Sequence, residues 1–336
     1  MGGKAYMHCL VTGGNGFLGK YIVEHLLKRG YKVRVLGRHR YPDLEKSGVE
    51  TVQADLADSE SIIKACKGID QVFHVAALTG IWGSYQNFYN TNVIGTKNII
   101  TACKKSGIQK LIYTSSPSVV FDNQDQKGID ETYPCPKRYL CYYSQTKAMA
   151  EQMVIAANAT DGLSTVALRP HLIWGPRDTN LIPRVIDRAR RRRLIQVGSG
   201  QNLVDICYVE NAAHAHLLAA DHLKPDSLVA GSCYFITDGK PVNLWDWING
   251  LLQQLDLPPI KKRISYKTAW RIGRMMEGVY KLFCIQREPL MTRFLASQLA
   301  KSHYFSIEQA KKELGYRPPV SPEEGIGRLV KYLKKT

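Results

Sequence analysis

The stretch Thr12-Gly13-Gly14-Asn15-Gly16-Phe17-Leu18-Gly19 follows His8-Cys9-Leu10-Val11, a strand pattern, and opens a helical pattern that runs from Phe17 to Lys28. Its glycines allow a tight turn, the close approach of a pyrophosphate and the packing of a helix against a strand. A helix N-terminus also presents unbonded N–H groups and a positive dipole end to phosphates. Placed at the first strand–helix junction, the stretch predicts a dinucleotide site formed by Gly13, Asn15, Gly16, Phe17, Leu18 and Gly19.

Strand and helix patterns alternate through the first half of the 336-residue chain. Gly30 ends the first helix, and Asp58 is the predicted N-cap of a later one. The sequence predicts strands at 8–11, 32–36, 72–77, 111–114 and 165–168, and helices at 17–28, 59–65, 92–105 and 142–157. This alternation implies an α/β fold of Rossmann type, with a doubly wound parallel sheet.

The regular alternation ends after Pro170, where proline, arginine and tryptophan become frequent. We therefore expect a dinucleotide-binding domain over residues 1–180, to which residues 204–222 return. A smaller, interleaved substrate-binding domain is expected over residues 181–203 and 223–336.

The end of the second predicted strand indicates which dinucleotide is bound. NAD sites usually place Asp or Glu there, to accept hydrogen bonds from the ribose hydroxyls. This strand instead ends Leu36-Gly37-Arg38-His39-Arg40. Two guanidinium groups without a carboxylate favour a 2′-phosphate and hence NADP(H), with Arg38 and Arg40 as its ligands. The alternative is that these arginines only solvate a loop.

Two Tyr-x-x-x-Lys motifs are present. The copy at Tyr133 and Lys137 encloses two prolines, which exclude a regular helix. The copy at Tyr143 and Lys147 lies in a helical context, so its two side chains share one face. A phenol titrates near a pH of about 10, and we expect the ammonium one turn away to lower that pKa towards working pH. Tyr143 is therefore the predicted proton donor.

A hydroxyl near that phenol would help to polarise a substrate carbonyl. The predicted strand at 111–114 is followed by Ser115 and Ser116, at the edge where a parallel sheet presents its ligands. Either serine is a candidate, although serines at such a position also serve as helix caps or turn residues.

The formal net charge of +17 favours anionic partners, or reflects basic residues dispersed over a solvated surface. Five arginines at 188–193 form a charge run without interleaved aromatic residues, so we expect no nucleic-acid partner.

The eight cysteines form no CxxC pair, which argues against a zinc site and a disulfide framework. We therefore expect no metal. No signal-peptide pattern and no membrane-spanning stretch are evident, so a cytoplasmic location is expected.

Residues 266–285 come nearest to a membrane-spanning stretch, but Arg271, Arg274, Glu277 and Lys281 interrupt them. Ala269, Ile272, Met276, Val279 and Phe283 recur in it at helical spacing. We expect an amphipathic helix whose apolar face packs on the protein's own core or over its substrate pocket. Peripheral contact with a membrane is the alternative.

Several motifs together carry a resemblance to a known family. They are Thr12-Gly13-x-x-Gly16-x-x-Gly19, Asp55-Leu56, Asn92-Val93-x-Gly95-Thr96, Tyr113-Thr114-Ser115-Ser116, Tyr143-x-x-x-Lys147 and Leu168-Arg169-Pro170. Over nearly its whole length the chain resembles the extended short-chain dehydrogenases, within them the 3β-hydroxysteroid dehydrogenase branch. Four further stretches resemble bacterial reductases of long-chain olefin biosynthesis that act on 2-alkyl-3-oxoalkanoates: residues 82–85, 172–176, 264–269 and 290–296.

The resemblance implies reduction by NADPH of the 3-oxo group of a branched β-keto acid, a hydrophobic carboxylate that suits the positive charge. It also implies a homodimer or a complex with other enzymes of the pathway. Tyr143 would donate the proton, Lys147 would tune it and hold the nicotinamide ribose, and Ser116, with Ser115 as competitor, would bond the carbonyl. The cofactor residues that it adds are Asp55, Leu56, Ala76, Asn92, Pro170 and Leu172, of which Asp55 would face the adenine and Pro170 to Leu172 the nicotinamide.

Other functions remain open on the sequence. A 3β-hydroxysteroid or sterol-4-carboxylate 3-dehydrogenase is the main alternative, because the broader branch contains such enzymes. A sugar-nucleotide epimerase fits less well, and a dehydratase is disfavoured because Pro117 and Ser118 stand where those enzymes tend to place an acidic pair. A regulator that senses NADP without turnover is a distant alternative, since such proteins typically lose the tyrosine that this chain keeps.

Overall fold

A fully parallel seven-stranded sheet forms the centre of the larger part of the molecule. The structure, a computed structural model, describes residues 7–335. From one edge to the other the strands are β3 (Glu50–Gln53), β2 (Lys32–Gly37), β1 (His8–Thr12), β4 (Gln71–His74), β5 (Lys110–Thr114), β7 (Ser164–Pro170) and β12 (Cys233–Ile236). The strand order reverses between β1 and β4, where open α/β sheets bind ligands at the carboxyl ends of their strands. The predicted Rossmann-type fold is confirmed.

Helices cover both faces of this sheet, and each face has its own apolar core. They are α1 (Phe17–Lys28), α2 (Pro42–Lys46), α3 (Ser59–Ala65), α4 (Tyr85–Phe88), α5 (Gly95–Lys105), α6 (Tyr142–Ala156), α8 (Val209–His222) and α12 (Glu308–Leu314). Buried residues of α1 and α8 belong to one core, and those of α3 and α5 belong to the other. The side chain of Asp58 caps α3 by accepting from the N–H groups of Glu60 and Ser61, as its position predicts.

In the part of the chain that the structure describes, the smaller part of the molecule is built from short strands and five helices. Its four-stranded sheet has the order β13 (Val242–Asn243), β10 (Leu203–Val204), β15 (His303–Phe305) and β6 (Gln126–Ile129). Two further pairs are β8 (Ile173–Trp174) with β11 (Cys207–Tyr208), and β9 (Ile195–Val197) with β14 (Lys262–Ile264). The helices are α7 (Leu181–Arg190), α9 (Leu244–Gln254), α10 (Tyr266–Leu282), α11 (Arg293–Ala300) and α13 (Pro322–Leu333).

The helix expected at 92–105 begins earlier than its pattern indicates. The Ser84 hydroxyl accepts the N–H of Asn87 and starts α4, which continues through a π-helical segment, Tyr89–Ile94, into α5. Wider turns of this kind are frequent at functional sites, and this one contains the buried Asn92.

One part of the expected domain division is wrong. The range 223–336, predicted to belong to the substrate-binding domain, contains β12, which pairs with β7 as the last strand of the large sheet. Its four residues, Cys-Tyr-Phe-Ile, are too few to show a strand period, so the sequence alone does not reveal it. The same range contains α12, which packs on the large sheet, whereas β6 and β8, from the range 1–180, lie in the smaller part.

The burial of α10 also differs from expectation. Its buried residues are Ala269, Gly273 and Glu277, whereas Val279 is 43% exposed and the following Phe283 is 68% exposed. A narrow line of small residues lets α10 approach α11 closely: a Cβ on Gly273 would lie 2.6 Å from the main-chain carbon of Thr292. The apolar face therefore does not pack entirely on the core. Within residues 7–335, no helix is long and apolar enough to cross a membrane.

Candidate active site

The loop between β1 and α1 leaves no room for side chains at two of its glycines. Gly13 has φ +68°, and a Cβ there would lie 2.9 Å from the Cα of Ala76. A Cβ on Gly19 would lie 2.1 Å from the main-chain oxygen of Gly13. Gly16 is the N-cap of α1, and no side chain caps this helix. The first N–H groups of α1 are thus available to an anion such as a phosphate.

The other residues predicted in this loop differ in their surroundings. Asn15 is exposed, Phe17 is partly buried with its ring 6.2 Å from that of Tyr21, and Leu18 belongs to the core. Leu18 can therefore contribute to a phosphate site only through its main-chain N–H.

The carboxyl end of β2 carries Arg38 and Arg40, both exposed. Neither forms an ion pair with another described residue, whereas Arg34 in the same strand is paired with Glu50 at 2.8 Å. The main-chain oxygen of Arg38 accepts a hydrogen bond of 3.1 Å from the Gln53 side chain, which fixes the loop between β2 and β3. Both guanidinium groups can therefore turn towards a ligand at this edge of the sheet.

The loops after β3 and β4 form the next part of the cleft edge. Asp55 is exposed and accepts the N–H of Ala57 at 2.8 Å, and the neighbouring Leu56 is buried. The N–H of Ala76 donates to the Thr12 hydroxyl at 3.1 Å, which ties the end of β4 to the end of β1. These residues lie at the strand ends where the sequence places a dinucleotide.

Asn92 connects three segments near the cleft. Its side-chain oxygen accepts the N–H of Leu78 at 2.7 Å, and its amide donates to the Leu78 oxygen and to the Thr146 hydroxyl, both at 3.1 Å. Asn92 thus fixes the loop after β4 against α6, one residue before Lys147. In this structure it is a positioning residue.

Tyr143 and Ser116 meet in the wall of a cavity of about 230 Å³. Burial raises the pKa of Tyr143 to about 12, and a hydrogen bond with Ser116 opposes that rise. Ser116 also accepts the N–H of Ser118 at 3.2 Å. Ser115 is buried, its hydroxyl has no hydrogen-bond partner among residues 7–335, and it is not among the described residues that line the cavity. Of the two candidate serines, the structure brings Ser116 to the phenol.

Lys147 is held differently from what the motif predicts. Its ammonium donates to the main-chain oxygen of Thr114 at 2.6 Å and lies 4.1 Å from the centre of the Tyr113 ring. Burial lowers the pKa of Lys147 to about 7, and Glu151 partly offsets this. The expectation that this ammonium lowers the pKa of Tyr143 is not met, because the opposing group is the Ser116 hydroxyl.

The cavity continues from Tyr143 into the smaller part of the molecule. Pro170 and Leu172 line it at the end of β7, and Leu172 has a positive φ of +42°. Phe121 and Phe294 line its apolar side, with ring centres 5.8 Å apart. The site thus combines hydroxyl groups with aromatic rings, and Tyr143 packs against the cluster that contains both phenylalanines.

The sequence reasoning gave no role to several lining residues, and two of these are histidines, of which His171 was placed only within the stretch Pro170 to Leu172. His171 and His303 are both buried, and their ring nitrogens lie 2.7 Å apart. His171 stands between Pro170 and Leu172, so its neighbours could have pointed to it. His303 lies 132 residues further along the chain, in β15, and no local pattern marks it.

These residues fit a bound dinucleotide. The glycine cradle leaves space where a Cβ would intrude, and α1 points an uncapped N-terminus at that space. Residues 13–19 would hold the pyrophosphate, and Lys147 and Tyr143 would lie at the nicotinamide end.

Residues 10–267 match the model of the 3-beta hydroxysteroid dehydrogenase/isomerase family. The chain belongs to this family. It is 46% identical over 326 residues to the 2-alkyl-3-oxoalkanoate reductase of Stenotrophomonas maltophilia, a match that covers 96% of this chain and 98% of that protein. It is 38% identical over 326 residues to the decarboxylating sterol-4-alpha-carboxylate 3-dehydrogenase of Mus musculus, with 96% and 90% covered.

The fold of this family member is shared with more distant proteins. The structure of the UDP-glucose 4-epimerase of Thermus thermophilus in complex with NAD is 24% identical in sequence, with a TM-score of 0.74 over 98% of this chain and 99% of that one. Membership of the 3-beta hydroxysteroid dehydrogenase/isomerase family confirms the resemblance seen in the sequence. The protein is an NAD(P)-dependent oxidoreductase of the short-chain dehydrogenase type.

Proposed function

We propose that the protein reduces the 3-oxo group of a 2-alkyl-3-oxoalkanoate to the 3-hydroxy acid with NADPH, as a step in olefin biosynthesis. The observation that carries the reaction is the meeting of Tyr143 and Ser116 in the wall of the cavity. The substrate class is supported by the 46% identity to the bacterial reductase over nearly the whole of both chains.

The proposed roles follow from the contacts. Ser116 donates a hydrogen bond to the substrate carbonyl, and Tyr143 gives its proton to the same oxygen. A pKa of about 12 keeps Tyr143 protonated at neutral pH, as a proton donor requires. Lys147 bonds the ribose, and Asn92 fixes the helix that carries both residues. A bound dinucleotide supplies the hydride to the carbonyl carbon.

NADPH is proposed over NADH because of the charges at the end of β2. Arg38 and Arg40 are exposed without ion-pair partners among the described residues, and no carboxylate ends this strand. A 2′-phosphate would give them charge-assisted hydrogen bonds. Asp55 would face the adenine.

A sterol-4-carboxylate 3-dehydrogenase is the second candidate, favoured by the 38% identity to the mouse enzyme. Purified protein should be assayed for NADPH consumption with a 2-alkyl-3-oxo acid and with a 3-oxosteroid side by side. Consumption with the acid alone supports the proposed substrate. Consumption with the steroid alone favours the second candidate, and turnover of neither, with NADPH bound, favours a dinucleotide sensor.

We further propose a cytoplasmic protein that touches an anionic lipid surface. Met275, Leu282 and Phe283 are 64%, 77% and 68% exposed on and just after α10. The exposed Arg274 and Lys281 lie on the same helix, so positive charges that attract acidic lipid headgroups flank the exposed apolar side chains. The indole of Trp82 donates a hydrogen bond of 3.0 Å to the Ile285 oxygen. Because Ile81 lines the cavity, this contact connects the exposed surface to the edge of the cavity.

Vesicle sedimentation tests this contact. The protein should sediment with vesicles containing phosphatidylglycerol and remain in solution with pure phosphatidylcholine. Leu282→Glu with Phe283→Glu should abolish sedimentation, whereas Leu228→Glu, at a 73% exposed leucine between α8 and β12, should not. Failure of the unmodified protein to bind acidic vesicles contradicts the proposal, and a homodimer or a complex with pathway enzymes would then account for the surface.

A further inference from the structure

The cavity that Tyr143 lines is also lined by a pair of buried histidines that the proposed reaction does not use. Nε2 of His171 lies 2.7 Å from Nδ1 of His303, and Nε2 of His303 lies 2.9 Å from the main-chain oxygen of Gln298. Both rings are buried between aromatic side chains: Phe305 lies edge-on to His171, and Phe121 lies edge-on to His303. The pair joins the end of β7 in the large sheet to β15 in the smaller part.

The contacts assign the protons of the neutral pair. A carbonyl oxygen only accepts, so Nε2 of His303 must carry a hydrogen. Nδ1 of a neutral His303 is then an acceptor, and His171 must donate to it from Nε2. This leaves Nδ1 of His171 without a hydrogen, and it has no hydrogen-bond partner among residues 7–335.

The remaining lining of the cavity offers a carboxylate no cation. Within the described residues no lysine or arginine lines it, and its titratable groups are Tyr143, His171 and His303. A carboxylate without a charged or hydrogen-bonded partner is costly to bury. The proposed substrate nevertheless carries one, two bonds from the carbon that is reduced, and the name of the mouse relative also places a carboxylate beside the reacting carbon.

We propose that His171 and His303 form the subsite for the substrate carboxylate, and that the pair takes up one proton from solvent when the carboxylate enters. The proton occupies Nδ1 of His171, which becomes a donor to the carboxylate, and the positive charge is shared across the hydrogen bond to His303. This inference rests on the proposed function, because it assigns a position to one group of that substrate.

The charge surroundings of the pair agree with a neutral resting state. Burial lowers the pKa of His303 to about 4, and burial together with the neighbouring charge of a protonated His303 lowers the pKa of His171 well below its ordinary value. The hydrogen bond to the Gln298 oxygen and, to a smaller extent, the carboxylate of Asp125, which accepts the N–H of Ser302, offset part of this lowering of the His303 pKa. The pair therefore acquires its proton only with an anion beside it.

Other titratable groups lie on the elements packed around the pair. Asp205 accepts the N–H of Phe305 at 2.8 Å, and burial raises its pKa to about 7. Arg169 lies over the Phe235 ring, behind Phe305, and is held by Glu151 through two hydrogen bonds of 2.8 and 2.6 Å. Any titration of Asp205 persists when His171 is replaced, so a His171 variant separates the two effects.

The test compares a 2-alkyl-3-oxo acid with its methyl ester, using the complete enzyme and NADPH. The ratio of their kcat/KM values cancels the shared effects of Tyr143 and Lys147. We expect the acid-to-ester ratio to fall by roughly tenfold per pH unit between about pH 6 and 8, because one proton is taken up with the acid alone. A ratio that stays within about twofold over this range overturns the inference.

Two variants and a control localise the effect. His171→Gln and His303→Gln should flatten the pH dependence and lower kcat/KM for the acid by roughly tenfold or more, with the ester changed by less than about threefold. Phe294→Leu, which alters an apolar wall, should change both substrates alike and keep the slope. A slope retained in both histidine variants contradicts the assignment.

A binding measurement tests the carboxylate subsite even if the proposed reaction does not occur. Calorimetry of the 2-alkyl-3-hydroxy acid with the dinucleotide complex, in two buffers of different ionisation enthalpy, should give an uptake of about one proton, and none with His171→Gln. Binding without proton uptake refutes the subsite. Turnover of neither acid nor ester refutes the proposed reaction instead, whatever the calorimetry gives.

Discussion

Gly19→Ala is the perturbation whose consequence follows most directly from the geometry. The added Cβ would lie 2.1 Å from the oxygen and 2.8 Å from the carbon of Gly13, and 2.8 Å from the Cα of Gly14. All three are main-chain atoms, so no flexible side chain can move aside. The turn must open by roughly 1 Å, and overpacking of this kind costs about 1–3 kcal/mol.

The position of residue 19 in a helix offsets part of this loss of stability. Alanine is better than glycine inside a helix by up to about 1 kcal/mol. A contact this short lies in the upper part of the overpacking range, about 2–3 kcal/mol, so the net loss should be about 1–2 kcal/mol. For a chain of this size, that lowers Tm by about 1.5–3 °C. NADPH should bind at least about tenfold more weakly, because the same turn forms the pyrophosphate cradle.

Gly250→Ala is the matched control. Gly250 lies inside α9, and a Cβ there would meet no atom within 4 Å. The same chemical change should therefore raise stability by about 0.5–1 kcal/mol and leave NADPH binding unchanged. Thermal unfolding with and without NADPH measures both variants. Equal Tm values and equal NADPH affinities for Gly19→Ala and the unmodified protein would refute the reasoning.

Three further predictions concern the site residues. Replacing Arg38 and Arg40 by Ala should weaken NADPH by roughly tenfold or more and NADH by much less, measured by fluorescence titration; equal losses would show that these arginines do not bind the 2′-phosphate. Lys147→Met should raise the free energy of unfolding in urea by on the order of 3 kcal/mol at pH 6, because the buried ammonium, whose pKa falls to about 7, destabilises the folded state. This gain should shrink as the pH rises and vanish above the unfolded pKa of 10.5, where lysine is neutral in both states. A gain independent of pH would exclude this cause. Ser116→Ala should lower kcat by roughly 10²-fold while Ser115→Ala changes it by less than about threefold, and the reverse order would assign the carbonyl contact to Ser115.

The local parts of the fold could be predicted because their signals are local. The helix at Phe17–Lys28 agrees with its apolar period and with Gly30, and Asp58 caps α3 as its position indicates. By contrast, β12 joins the large sheet by pairing with β7, and four apolar residues do not disclose a partner more than 60 residues earlier. Long-range pairing is not encoded in a short stretch.

The part of the site that lies within a single sequence motif could be predicted. Tyr143 and Lys147 lie one turn apart on α6, which periodicity predicts. The direction of the Lys147 ammonium depends on the Thr114 carbonyl, and the His303 contact to His171 depends on how β15 meets β7. Such contacts arise only when separate segments are packed together, so no local pattern indicates them.

The central claim is that Tyr143 delivers the proton to the reduced carbonyl. Single-turnover oxidation of bound NADPH by a 2-alkyl-3-oxo acid, followed in a stopped-flow instrument, compares Tyr143→Phe with the unmodified protein. We expect a rate lower by about 10²- to 10⁴-fold with NADPH affinity unchanged. An undiminished rate would contradict the account.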